Sequence, residues 1–369
     1  MLNWQPIISN RNPSKAACTM SLIQTLPNTP LDIIGDVHGQ FEALQNLLHY
    51  LGYTPDGRHP QGRKLVFVGD LVDRGPDSPA VLQWFKEAHA AGNAFMVLGN
   101  HELNLLTGEA KDGSGWFFTH RYEHDSRNYA PWRKLPDCRH SEFLDFLARQ
   151  PLVLQRSDLR IVHAAWLPAA IEKIRSQQHR NIVELYQEWD DELQCCIKHT
   201  PWYDQYLDEQ RQYAHTLENH GSPPAMLPAT AAHDVFRSSY HPIRALTCGI
   251  EKTTAEPFFA GGRWRFSVRN PWWNDYHDPI PVVIGHYWRC FHPHAARAKH
   301  REGIFTVPAH HWHGARRNVF CIDFSVGARW RDRKRNICAN KSQHRLGALR
   351  FPERVLVFDN GDTLPTETA

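Results

Sequence analysis

Three short stretches in the first third of the chain gather carboxylate, imidazole and carboxamide side chains beside glycine. They are Gly35-Asp36-Val37-His38-Gly39, Gly69-Asp70-Leu71-Val72-Asp73-Arg74-Gly75-Pro76 and Gly99-Asn100-His101-Glu102. These are the oxygen and nitrogen donors that a hard or borderline divalent cation takes, and no spaced cysteine pair accompanies them as a soft thiolate site would require. Taken singly, Asp, His, Asn and Gly are ordinary turn residues. Three such stretches in order, each directly after a short apolar run, point instead to a metal-dependent hydrolase.

The runs that carry them are Leu31 to Ile34, Lys64 to Val68 and Phe95 to Leu98, too short for helices and bounded by glycine, as buried strands are. Donors at the ends of such strands collect on one sheet edge, and in open α/β sheets the ligand site lies beyond the carboxyl ends. Between them, Phe41, Leu44, Leu47, Leu48 and Leu51 recur at helical spacing, and Ser78-Pro79 supplies cap and first-turn residues for a helix through Ala90. Phe143, Leu144, Phe146 and Leu147 mark a further helix, and apolar runs near Leu152, Ile161, Val282, Val319 and Val355 read as later strands. This alternation describes an α/β core.

Two later stretches complete a resemblance. Arg160-Ile161-Val162-His163-Ala164-Ala165 ends a strand in histidine, and Val282-Val283-Ile284-Gly285-His286 ends one in Gly-His. The five stretches together resemble the calcineurin-like metallophosphoesterase superfamily. The Asp-Arg-Gly of the second is similar to the phosphoprotein phosphatase branch, which holds bacterial symmetrical dinucleoside tetraphosphatases and serine/threonine phosphatases. The resemblance implies a two-sheet β-sandwich flanked by helices, the metallo-dependent phosphatase fold. It implies that Asp36 and His38 hold a first divalent ion, that Asp70 bridges two, and that Asn100, His163 and His286 complete the second. Trp288 stands where many superfamily members carry the second histidine of Gly-His-x-His, which favours the phosphatase branch and leaves water to fill the first ion's remaining positions. His163 is followed by Ala164-Ala165-Trp166 in place of the usual glycine, a bulkier loop.

The implied chemistry is hydrolysis of phosphate esters or anhydrides by in-line attack of a hydroxide shared between two ions about 3.5–4 Å apart. Charge building on the non-bridging oxygens calls for fixed cations. Arg74 is the first candidate, because its planar fork meets two phosphate oxygens at once. Arg244, in Pro242-Ile243-Arg244-Ala245-Leu246, stands where relatives carry a second phosphate arginine, and Asn100 is a further substrate contact. The family's general acid corresponds to His101, oriented by Asp73, a carboxylate partner that favours the imidazolium. Glu102 is expected to serve the dipole of the following helix. Manganese is the first expectation for the metal, with iron, zinc, cobalt and nickel compatible with the same ligands.

Three narrower readings fit the motifs. Arg149-Gln150-Pro151-Leu152 and the late Gly-His suggest a symmetrical dinucleoside polyphosphate hydrolase, and the intact Asp-Arg-Gly and Gly-Asn-His-Glu suggest a serine/threonine protein phosphatase. A non-catalytic metal- or phosphate-binding regulator would not require the positioned acid His101. The expected substrate is thus a phosphorylated small molecule, nucleotide or phosphoprotein.

The remaining sequence bounds the setting. A formal charge of +3 over 369 residues gives no nucleic-acid footprint, and 41% hydrophobic content suffices for a substantial core. The eight cysteines, at 18, 138, 195, 196, 248, 290, 321 and 338, form no zinc or disulfide pattern and read as reduced, mostly buried thiols. No run is long enough to span a membrane and Met1 to Pro6 lacks signal-peptide character, so the expected location is the cytoplasm. Residues 1–29 read as an N-terminal extension and 30–369 as one catalytic domain. Within that domain, about 167–280 reads as an insertion, either a helical cap over the site or peripheral decoration, with a helix over Asn181 to Cys196 and a polar, Pro-rich stretch over Glu209 to Asp234. The aromatics and arginines from Phe258 to Phe266, with Trp272 and Trp273, read as packing before base stacking. His310-His311-Trp312-His313 reads as an exposed polar loop, and Arg329 to Arg335 as a solvated basic surface.

Overall fold

Apolar side chains fill most of both faces of the central strands, so these strands must be covered on two sides, and the buried exception Asp32 is held by Arg63 and Tyr53. The computed structural model describes residues 21–289 and 303–368. In chain order the elements begin with β1 (Ile23–Thr25), β2 (Leu31–Ile34), α1 (Phe41–Leu51), β3 (Lys64–Phe67), α2 (Ser78–Ala90), β4 (Ala94–Met96) and α3 (Asn100–Leu106). Next come α4 (Tyr122–Tyr129), α5 (His140–Leu147), β5 (Val153–Arg156) and β6 (Leu159–Val162). The insertion contributes α6 (Pro168–Arg175), α7 (Ile182–Lys198), α8 (Tyr203–Tyr213), α9 (Pro228–Tyr240), α10 (Pro242–Cys248) and the hairpin of β7 (Glu251–Ala260) and β8 (Arg263–Arg269). The chain closes with β9 (Val282–Ile284), β10 (Val319–Cys321), α11 (Arg329–Lys334), β11 (Gly347–Phe351), β12 (Val355–Phe358) and β13 (Thr363–Pro365).

Two sheets, ordered β1-β5-β6-β9-β10 and β13-β12-β11-β2-β3-β4, stack face to face. Ile33, Val66, Leu154, Ile161, Val283, Phe320 and Leu349 fill the core between them. The alternate residues Ile34, Phe67, Val153, Val162 and Ile284 turn outward into a second core with Leu44, Leu47 and Phe85 of the covering helices. The molecule is therefore the expected two-sheet sandwich flanked by helices.

Register levels the strand ends. Ile34 pairs with Phe67 and Phe67 with Met96, all parallel, while Ile161 pairs with Val283 and Val283 with Phe320. The loops after β2, β3 and β4 consequently meet those after β6, β9 and β10. Gly285 N–H donates to His163 O at 2.8 Å within one sheet, and Val37 N–H donates to Asp70 O at 3.0 Å within the other.

Several expectations change. Residues 23–25 of the presumed extension form β1, an edge strand parallel to β5, so the folded body starts before Leu31; residues 1–20 of that extension lie outside the described residues. Helix α2 is capped by Asp77, whose carboxylate accepts Ala80 N–H at 3.0 Å, and Ser78 instead accepts Asp73 N–H at 2.9 Å. Strand β11 sits centrally between β2 and β12 although Gly347 and Arg350 hide its pattern. The stretch from Glu209 to Asp234 includes the ends of two helices, α8 and α9. Of the described cysteines only Cys321 is buried, while Cys138, Cys195, Cys248 and Cys338 are exposed; Cys18 and Cys290 lie outside the described residues. No helix among the described residues is long and apolar enough to cross a membrane.

Candidate active site at the sheet edge

The motif loops turn so tightly that side-chain-bearing residues occupy the left-handed backbone region. His38 (φ 47°), Asp70 (51°), Asp73 (73°), Arg74 (66°), His286 (67°) and Trp288 (52°) all do so. Such positions cost about 1–3 kcal/mol each and persist only where surrounding contacts over-determine them. Glu102 is the main fastener here. Its carboxylate accepts the N–H groups of Gly99 (3.0 Å), Asp70 (2.9 Å) and Leu71 (2.7 Å), binding the second motif to the third. It therefore does much more than the expected service to the helix start. Burial and the neighbouring Asp70 push this carboxyl up to about 7.

Asp70 occupies the centre. Its Oδ2 lies 3.4 Å from His163 Nε2, 3.8 Å from His38 Nε2 and 3.9 Å from His101 Nε2. Two groups of clustered donors share it: His38, Asp70 and His101, and Asp70, His163 and His286. His38 Nδ1 faces Val72 O at 2.9 Å and His163 Nδ1 faces Val68 O at 2.6 Å. A carbonyl only accepts, so both rings carry their proton on Nδ1 and turn Nε2 inward. That atom of His163 is buried without a hydrogen-bond partner among the described residues, which suits a cation bound between it and Asp70. His286 presents Nδ1, 3.0 Å from Asn100 Oδ1.

Asp36 stands outside both groups, with its carboxylate accepting His286 N–H at 3.1 Å. A Cβ at Gly285 would come within 2.1 Å of Asp36 Oδ1, so the late Gly-His needs its glycine for close approach. Burial and Asp323 hold the Asp36 carboxyl well above the usual range. Burial with Arg74 lowers His38, and burial with Arg269 lowers His286, keeping both imidazoles neutral as metal ligation requires. Burial also opposes protonation of His163, yet Asp70 pushes it up to about 10, a measure of how strongly this pocket attracts positive charge. Burial opposes ionisation of Asp70 too, but His163, His101 and His38 hold its carboxyl well below the carboxylate range.

Beside this cluster, His101 Nδ1 meets Asp73 Oδ2 at 2.5 Å, and Trp116 Nε1 donates to the other oxygen of Asp73 at 2.6 Å. All three side chains are buried. Arg74 Nη1 donates to His38 Nε2 at 2.9 Å, and its guanidinium lies 4.9 Å over the Trp288 ring. Trp288 thus supports the arginine, while its N–H donates to Asp323 at 2.7 Å. Arg244 is paired with Asp190 at 3.2 Å and Glu109 at 3.5 Å, on a helix whose Leu246 O accepts Ala164 N–H at 2.8 Å, directly after His163.

Trp116, Asp323 and Gly327 were not among the expected site residues. Gly327 packs so closely that a Cβ there would lie 2.3 Å from the His38 ring. The signal for Asp323 was available, as a lone carboxylate directly after the late apolar run Val319 to Ile322. The basic run also departs from a solvated surface: Arg329 pairs with Asp359 at 2.7 Å, and Arg333 donates to Arg74 O at 3.3 Å. Trp272 and Trp273 are buried as packing residues, with Trp272 Nε1 donating to Ala164 O at 3.0 Å.

A sequence model of the calcineurin-like phosphoesterase family matches residues 29–237. The symmetrical bis(5'-nucleosyl)-tetraphosphatase of Shewanella oneidensis is 35% identical over 147 residues, 39% of this chain and 47% of that protein. The asymmetrical bis(5'-nucleosyl)-tetraphosphatase PrpE of Oceanobacillus iheyensis is 33% identical over 139 residues, 36% of this chain and 54% of that protein. The chain spans about half the length of these curated relatives. Among solved structures, the cold-active protein-tyrosine phosphatase of a psychrophilic Shewanella species aligns over 94% of this chain and 83% of its own, with a TM-score of 0.46 and 14% identity.

Proposed function

The chain belongs to the calcineurin-like phosphoesterase family, and on that premise we propose that it is a binuclear metal-dependent phosphoesterase hydrolysing phosphate esters or anhydrides. The observation that carries this reading is the sharing of one carboxylate, Asp70, by two donor groups, with a histidine–aspartate pair alongside. Divalent ions, manganese first, would supply Lewis acidity and activate water at neutral pH. Asp36, His38 and Asp70 on one side, and Asp70, Asn100, His163 and His286 on the other, are the residues to hold them.

The chain's own residues account for the remaining steps. Arg74 offers its guanidinium to the non-bridging oxygens, where charge grows in the transition state, and Trp288 limits its swing. His101 keeps Nδ1 on Asp73 and has Nε2 free of that bond, so the proton passes from Nε2 to the departing oxygen. Asp73 is held in turn by Trp116. A phosphate-binding regulator would gain nothing from this relay.

For the substrate, the named activities of the curated relatives favour a dinucleoside polyphosphate over a phosphoprotein. A cytoplasmic setting suits such a substrate and the free thiols. The test is a turnover panel with added manganese, comparing an aryl phosphate, diadenosine tetraphosphate and phosphopeptides. Turnover of the first two, abolished by chelation, is the expected result. Activity on phosphopeptides alone would favour the protein phosphatase reading, and no turnover of any compound would overturn the enzymatic one.

A further inference from the structure

Far along the chain from the motif loops, two histidines of His310-His311-Trp312-His313 converge, contrary to the expectation of an exposed polar loop. Trp312 and His313 are buried, and Trp312 Nε1 donates to Thr366 Oγ1 at 2.8 Å. The segment after β13 is pinned alongside, because Glu367 N–H donates to His310 O at 3.0 Å and Trp312 N–H donates to Glu367 O at 2.9 Å. These two bonds clamp the backbone on either side of His311. Adjacent side chains that would ordinarily diverge are thereby left facing one carboxylate, with the two imidazole rings 4.4 Å apart.

The spacing is that of metal ligands. His311 Nε2 lies 3.3 Å from Glu367 Oε2, His310 Nε2 lies 3.9 Å from Glu367 Oε1, and one ligand atom from each residue falls within 4.8 Å of the others. These separations exceed good N–H···O hydrogen bonds. The shorter matches the ~3.3 Å edge of a tetrahedron built from zinc–ligand bonds of about 2.0–2.1 Å, and the longer lies about half an ångström beyond it. Glu367 has no lysine or arginine partner among the described residues, only these two rings. The buried Nδ1 of His311 has no hydrogen-bond partner among the described residues.

We propose that His310, His311 and Glu367 form a further divalent-metal site of the zinc class, independent of the Asp70 cluster. Water completes the coordination on the open side, where Glu367 is exposed. An ion there staples the C-terminal segment to the loop that carries Trp312, a structural role distinct from the phosphoesterase reaction.

The test uses untagged full-length protein, stripped with a chelator and titrated with zinc chloride, with bound metal counted by elemental analysis. Wild type is expected to retain one zinc ion per chain more than His310→Ala/His311→Ala, while manganese-supported turnover of an aryl phosphate is the same in both. Glu367→Gln keeps both backbone bonds and is expected to weaken that ion by more than about tenfold. Asp70→Asn should leave it in place, which separates this site from the proposed catalytic metals. Equal zinc content in wild type and the double variant, or an unchanged zinc isotherm for Glu367→Gln, overturns the proposal.

Discussion

The sheet-edge loops and the inserted segment from α6 to β8 both hold arginines, histidines and tryptophans, but they satisfy them differently. Arg74 is braced on Trp288 and His38 with no carboxylate pairing it among the described residues, whereas Arg244 is paired by Asp190 and Glu109 and covers Tyr186 at 4.9 Å. His101 is aligned by a carboxylate. The insertion's His241 has both ring nitrogens on backbone, at Tyr186 O (3.1 Å) and Arg244 N–H (3.3 Å), and burial pushes it down to about 4. Residue type alone therefore does not mark a site. What distinguishes the loops is strained backbone and polar groups whose remaining valence points to a common centre.

The largest test of this contrast is Asp70→Asn. A carboxylate serving two donor groups should, when neutralised, cost both ions and more than about 10³-fold in kcat/KM, beyond the loss of one stabilising donor. Metal counting and turnover check it together, and near-normal metal content would break the bridging assignment. His101→Ala should keep its metals and lose roughly 10²- to 10⁴-fold on an alkyl phosphate but much less on an activated aryl ester, which departs without a proton. Asp73→Asn should show the same pattern more weakly. Equal losses on the two esters would make His101 a positioning group.

Arg74→Ala is expected to lower kcat/KM by about 10²-fold on both esters, since it stabilises charge on oxygens common to them. Trp116→Phe removes the bond to Asp73 and should cost about tenfold on the alkyl phosphate alone, in keeping with a hydrogen bond to a charged group worth roughly 1.5–3 kcal/mol. A matching aryl-ester loss would mean general disruption. The smallest effect belongs to the insertion: Arg244→Ala should change kcat/KM by less than about threefold, as losing partly exposed ion pairs does. A drop rivalling Arg74→Ala in the same assay would put the insertion on the substrate and erase the contrast.

The sequence by itself determined the strands that end in chemistry, because a strand buried on both faces must be mostly apolar and a tight turn follows it with Gly, Asp, His or Asn. Asp36, His38, Asp70, Asn100, His101, His163 and His286 are legible for that reason, each within a few residues of its strand. The local helices over Phe41–Leu51 and Ile182–Lys198 are legible from their 3.6-residue period. Only the tertiary structure decided what lies opposite those residues. Trp116 reaches Asp73 across 43 positions, Glu102 closes a loop 32 positions back, and Glu367 meets His310 and His311 from the chain's far end. Strands β1 and β11 likewise belong to sheets only through partners supplied from a distance. A local pattern records how a residue is buried, but the partner of a polar group is set by loop closure and strand order, and neither leaves a period in the sequence.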